Sequence, residues 1–298
     1  MRKQLACTIA TAMLLPASGH AGGFLGADGG KLPLTAGFSD VEGTGGGGLV
    51  PWALITGYGS NKSWGANAHY GDVRLRDFDL RTAGIGVGIL DRVELSAARQ
   101  EFEATETALE GVEVAQDVFG IKVRLAGDAV YTQDSWLPQI AVGAQLKRHG
   151  GIENAGALVS PIQLGARDED GADYYLSGTK VFLAESLLVN VTLRHSKANQ
   201  LGLLGFGGDE ESSARTRVEA TVGYLLTRKL AIGGEYRDKP DTLGVDDESA
   251  AWDFFVAWAP TRHLSVVAAY VNLGGVLSPV TGVDHDQTGS YLSFQFGF

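Results

Sequence analysis

Cysteine is nearly missing from this chain of 298 residues, and proline is scarce: Cys7 is the single thiol and there are eight prolines. One thiol cannot form an internal disulfide, so a secreted chain of this kind must rely on a large core or on a solvent other than water. Few prolines leave the backbone donors intact, as strands that complete their ladders require. After residue 21 no apolar run reaches 18 residues, which excludes a membrane-spanning helix. Positive charge is short too. Beyond residue 21 there are 22 basic against 35 acidic side chains, which argues against nucleic acid and other polyanions as partners.

What is present begins with a leader. Met1-Arg2-Lys3 precedes an apolar run from Leu5 to Leu15 and the small residues "PASGHA". This pattern predicts a secretory signal peptide over 1–21, cleaved after Ala21, and a single domain over 22–298. Cys7 lies inside the leader, ahead of most of its apolar run, so a lipoprotein reading fails.

Glycine, at 42 residues, has about twice its usual share. Helical periodicity is hard to find, whereas alternation of apolar and polar residues runs through the whole chain. It predicts strands at 32–38, 50–59, 64–70, 85–89, 93–97, 119–125, 140–146, 172–182, 187–193, 218–224, 230–236, 252–258, 264–270 and 290–298. One connection aside (127–136, of middle length), short links at 60–63, 90–92, 184–186, 227–229 and 260–263 alternate with long ones at 102–116, 148–171, 197–214, 239–250 and 274–289. An even number of ten-residue strands with alternating turns and loops predicts an all-β fold: a transmembrane antiparallel up-and-down β-barrel of the bacterial outer membrane. Fourteen strands is the primary count and twelve the alternative, because the first two segments and 172–182 are the least decided. Both termini then lie in the periplasm. A soluble sandwich also alternates, but its loops do not alternate so regularly in length.

The closing "SYLSFQFGF" puts Leu292, Phe294, Phe296 and Phe298 on one face, which needs lipid to meet it. Tyr224, Tyr236, Trp252, Trp258, Tyr270 and Phe298 fall near strand ends, where aromatic girdles belong. Phe294, Phe296 and Phe298 also resemble the signal by which the barrel-assembly machinery recognises its clients.

The opposite parity collects charge: Glu94, Lys122, Arg124, Lys147, Arg194, Arg217, Glu219, Glu235, Arg237 and Asp253. Either these line a water-filled, slightly cationic path that sets selectivity, or they close the lumen with salt bridges, for example Lys122 and Arg124 against Glu94. In "NQLGLLGFGG" (199–208), Leu201, Leu203, Leu204 and Phe206 should not face water. The segment is expected to turn into the barrel mouth as a constriction; binding an apolar ligand and resting on the outer leaflet are the alternatives.

The long loops are acidic, as in Asp168-Glu169-Asp170 and Asp246-Asp247-Glu248, which suits a solvated outer surface. Divalent bridging to lipopolysaccharide is the weaker reading. "GTGGGG" (43–48) lacks the Lys-Ser/Thr of a phosphate loop and reads as flexible loop, and Gly84, Gly86 and Gly88 read as close-packed strand glycines. The histidines show no metal-ligand spacing, so no metal or other cofactor is expected. Ser96 near Glu94 and Ser196 beside His195 could be imagined as nucleophile sites, but neighbours on a strand point to opposite faces, and no catalytic residue is assigned.

The stretches "GGGGLVPWALI" (45–55), "DRVELSAARQEF" (91–102), "FGIKVRLAGDAVY" (119–131), "WLPQIAVGAQ" (136–145), "KANQLGLLGFGGD" (197–209) and "WAPTRHLS" (258–265) resemble the proteobacterial domain of unknown function 3034 family. That resemblance implies an outer-membrane barrel and brings no activity, ligand or catalytic residue with it. The expected function is passage of a small solute through the charged lumen, narrowed by 199–208, with outer-membrane lipid, lipopolysaccharide and the assembly machinery as partners. A non-conducting structural or export-accessory barrel is the alternative, and a lipid-modifying enzyme the third.

Overall fold

The computed structural model describes residues 31–298 apart from 157 and 159; the leader, 1–21, and Cys7 lie outside the described residues. Twelve strands form one closed antiparallel barrel: β1 (Trp64–Arg74), β2 (Phe78–Ile89), β3 (Val93–Ala104), β4 (Glu113–Ala126), β5 (Gln139–Glu153), β6 (Gly171–Phe182), β7 (Leu187–Ser196), β8 (Arg215–Thr227), β9 (Leu230–Arg237), β10 (Ala251–Trp258), β11 (Leu264–Asn272) and β12 (Thr288–Gly297). Each pairs with its neighbour in sequence, and β12 returns to β1, with Ala68 opposite Phe296 and Tyr70 opposite Phe294. No edge is left to aggregate.

Alternation explains the two surfaces. In β10, Trp252, Phe254, Val256 and Trp258 point outward, while Ala251, Asp253, Phe255 and Ala257 are buried or nearly so within the barrel. Around the outside, Ile85, Leu95, Phe119, Ile121, Val222, Phe254 and Phe294 are each between 43% and 67% exposed. A belt of that extent has no place in water. It meets hydrocarbon, with Tyr224, Tyr236, Trp258, Tyr270 and Phe298 exposed among the girdle positions.

The links define two ends. The turn end carries 90–92, 183–186, 228–229, 259–263 and Phe298; the loop end carries 154–170, 197–214, 238–250 and 273–287. Two links break the expected alternation: 75–77 is a tight turn at the loop end, and 127–138 is long at the turn end.

The primary count of fourteen strands is corrected to twelve. Segment 172–182 is a true strand, but 32–38 and 50–59 are not in the wall. They form the two arms of an internal segment that enters the lumen at the turn end, reverses near 43–49 and leaves at the same end. Along it a four-residue helix (Pro33–Ala36) is the only regular element among the described residues. Leu34, Ala36 and Phe38 alternate in sequence, yet the residues between them are buried too, because barrel wall surrounds the segment on all sides. In a run this short, period 2 and complete burial look alike.

Candidate functional site

An irregular backbone inside a barrel must find partners for its N–H and C=O groups, because no strand pairs with it. The wall supplies them from side chains. Gln295 accepts from the Ser39 N–H (2.6 Å) and donates to the Ser39 carbonyl (3.1 Å). Thr82 and Gln100 both donate to the Val41 carbonyl (2.8 Å each). Thr192 donates to Pro51 (2.8 Å), Gln139 donates to the Ala53 carbonyl (2.7 Å), and Thr179 accepts from the Ala53 N–H (2.7 Å).

Charged side chains clamp the same segment. Glu94 accepts from the N–H groups of Gly45 and Thr56 (2.8 Å each), and Lys122, paired with Glu94 at 3.1 Å, donates to the carbonyls of Gly45 (2.7 Å) and Leu54 (2.8 Å). Glu235 accepts from the Leu49 N–H (2.6 Å) and from Thr221 (2.7 Å), which in turn accepts from the Trp52 indole (3.0 Å). At the tip Glu42 lies fully buried among three cations: Lys147 in direct contact, Arg237 at 2.9 Å and Arg194 at 3.4 Å. Asp173, 2.7 Å from Lys147, and Glu219, paired with Arg194, complete the network. Buried charges persist in a low dielectric only when paired and hydrogen-bonded, and here these are.

The glycines have positional reasons. The run 43–48 is not a flexible loop: it is the buried tip, where a Cβ on Gly47 would run into the Glu235 carboxylate and one on Gly43, held at φ +89°, would come within 2.7 Å of Ala98. In β2, a side chain on Gly86 or Gly88 would strike Thr56 of the returning arm. Both ends of the segment are pinned at the turn end. Lys31 donates to the carbonyls of Ile55 and Gly57 and pairs with Asp91, while the Phe298 carbonyl accepts from both Tyr58 (2.8 Å) and Ala66 (3.0 Å).

The loop end has its own closure. Residues 199–206 fold down into the mouth, and Leu201, Leu203, Leu204 and Phe206 are buried, the three leucines in one cluster with loop residues Val276 and Leu277 and wall residues Phe78, Phe102 and Val114. The Phe78 and Phe102 rings stack at 5.0 Å. Gln200 and Leu201 sit in the left-handed region (φ +44° and +62°), which costs a non-glycine residue free energy that neighbours must offset. Gln200 is held by Asp246 (2.9 Å), Gly275 (2.8 Å), Glu248 (2.9 Å) and Lys239 (3.0 Å).

The structure therefore brings together eight of the ten inward charges named from parity: Glu94, Lys122, Lys147, Arg194, Glu219, Glu235, Arg237 and Asp253 are all buried in the lumen. Arg124 and Arg217 stand at the two mouths, half-exposed, paired with Asp91 and Asp128 and with Asp238 respectively. Arg124 is thus separate from the Lys122–Glu94 pair. Sequence reasoning missed Glu42, which lies in a stretch without periodicity, and Asp173, in the undecided strand. It also missed the neutral ladder of Gln100, Gln116, Gln139, Gln145 and Gln295; long polar side chains at lumen positions were the available signal that something with a backbone occupied the interior. Ser196 faces inward and bonds Asp173, while His195 faces out, 3.2 Å from Thr216, so these two neighbours form no dyad.

Fold and site together define a membrane-spanning twelve-stranded barrel sealed from one end by its own N-terminal segment and capped at the other by a loop. The chain belongs to the family described as protein of unknown function (DUF3034), whose model matches residues 35–295. None of the curated proteins matches it. Among solved structures it is similar to the KdgM porin (11% identity, TM-score 0.47, covering 78% of this chain and 99% of that one) and the NanC porin (9%, 0.49, 78% and 100%). It is also similar to outer membrane phospholipase A from Escherichia coli (9%, 0.42, 82% and 94%). At these identities the likeness is one of fold alone.

Proposed function

We propose that the protein is a gated outer-membrane passage for small solutes, in which residues 32–59 form the plug and the described state is closed. One observation carries this reading. Both arms of the plug leave through the same mouth, so the segment can withdraw as a loop without threading the barrel or breaking a strand. What it must break is a set of side-chain hydrogen bonds and ion pairs that water can replace, together with the apolar contacts of Phe38, Val41, Leu49, Val50, Trp52 and Leu54 with the wall. On withdrawal Lys122, Lys147, Arg194 and Arg237 would line a wet lumen interleaved with Glu94, Asp173, Glu219, Glu235 and Asp253, and this mixed lining would set selectivity. Arg124 and Arg217 would act at the mouths. Leu201, Leu203, Leu204 and Phe206 would form the constriction on the far side. The turn end then faces the periplasm, with both termini, and the loop end faces outside, against lipopolysaccharide. Phe294, Phe296 and Phe298 serve delivery to the assembly machinery.

A second reading, a permanently closed structural barrel, draws support from how completely Glu42 is paired. Planar-bilayer conductance separates them. The full chain should be silent or open rarely, and a variant lacking 32–59 should give steady steps that grow when 199–208 is also removed. Silence from every variant would leave the structural barrel.

A further inference from the structure

Plug and cap never pair backbone to backbone, yet they share side chains. Lys147 of β5, fully buried, contacts Glu42 at the plug tip and donates to the Leu201 carbonyl of the cap at 2.8 Å. Gln116 of β4 donates to the same carbonyl (3.2 Å) and to Gln100, which donates to the plug's Val41 carbonyl (2.8 Å). The Leu201 carbonyl belongs to a turn in which residues 200 and 201 hold left-handed backbone angles. Those angles are in turn held by the contacts of Gln200 with Asp246, Gly275, Glu248 and Lys239.

We infer that Lys147 couples the two closures, so that loosening the cap from outside weakens the hold on the plug. This rests on the plug being a movable gate. Once the 200–201 turn relaxes, the Leu201 carbonyl leaves the Lys147 ammonium and the Gln116 amide, and both lose a partner at fully buried positions. The cost of leaving buried donors unmet is lowered if the plug tip also departs and the lumen hydrates. Coupling is reciprocal: withdrawal of Glu42 must loosen the cap to the same degree. Gln200 and Lys239 make no hydrogen bond or ion pair with the plug among the described residues, so an effect of changing them on the plug travels through Lys147, through Gln116 and Gln100, or through the apolar cluster that Leu201, Leu203 and Leu204 share with Val41, Leu49 and Val50.

The test uses the near-absence of cysteine. Val50, fully buried in the plug, is replaced by cysteine in the full chain with Cys7→Ser, and its modification by a water-soluble maleimide reports plug opening. Heat-dependent gel mobility checks that each barrel is folded. Gln200→Ala, with Lys239→Gln as a second cap variant should the first fail to fold, is expected to speed labelling on the order of tenfold. In Lys147→Met, itself faster than the parent, either cap change should add less than it does in the parent, leaving only the routes through Gln116 and Gln100 and through the apolar cluster. If Glu42→Gln speeds labelling and neither cap variant does, the coupling is wrong and the movable plug stands. If Glu42→Gln is also without effect, the gate and the coupling both fall.

Discussion

The two closures differ in how much of their hold is polar. The plug, 32–59, adds to its buried apolar side chains a set of wall side chains that bond its backbone and ion pairs around Glu42, whereas the cap, 199–206, is held by apolar burial of three leucines and a phenylalanine, with Asn199 and Gln200 as its polar anchors. Apolar packing is non-directional and tolerates sliding. A polar clamp is specific in register, costs heavily when one partner is lost, and gives little net gain over water when all of it is released together. The plug is therefore fixed in one position yet can be given up as a unit. The cap adheres without needing one geometry, except where the strained turn at 200–201 aims its carbonyl.

The largest expected effect breaks the polar side. Glu42→Ala leaves Lys147, Arg194 and Arg237 buried with one anion fewer, which should destabilise the seated plug by about 3–5 kcal/mol, read as faster thiol labelling of the plug and opening in a bilayer. On the apolar side, Leu203→Ala should cost about 2–4 kcal/mol, read from urea-dependent loss of loop protection in hydrogen exchange, with the barrel still migrating as folded. A third experiment sharpens the contrast with pH. Burial pushes Glu248 beside the cap from the ordinary 4.5 up to about 7, against the opposing pull of Lys239 and with a further push from Asp246. Between those values the folded cap holds a proton that the opened one releases, so its stability is greatest below pH 4.5, declines as pH rises to about 7, and levels off beyond. Protection of the loop amides, corrected for intrinsic exchange, should follow that course and become flat in Glu248→Gln. The smallest effect belongs to neither closure: Arg81, paired with Glu103 at 2.7 Å on the exposed outside of β2, should cost about 0–1 kcal/mol on change to alanine in thermal unfolding.

The barrel was legible because lipid imposes a strict rule. Charges confined to one parity, as with Lys122 against Ile121 and Val123, can be read from the sequence alone, and so could the burial of Leu201, Leu203, Leu204 and Phe206. The plug was not legible, for a related reason. Its wall is polar on several sides and apolar on others, so residues 32–59 follow no period of their own, and the short alternation at Leu34, Ala36 and Phe38 imitates a strand. Glu42 could not be paired with Lys147, 105 positions away, without knowing that its segment lay inside. Likewise the glycines at 43–48 take their meaning from Glu235 and Ala98, which only the closed barrel brings near.

The Phe298 carbonyl joins β1 at Ala66 and the departing plug arm at Tyr58 with one oxygen. The ring closes and the plug's exit is fastened at the same atom, contributed by residue 298. Ser39 likewise finds its partner in Gln295, 256 positions downstream. The seat of a segment translated early is therefore incomplete until the final strand arrives.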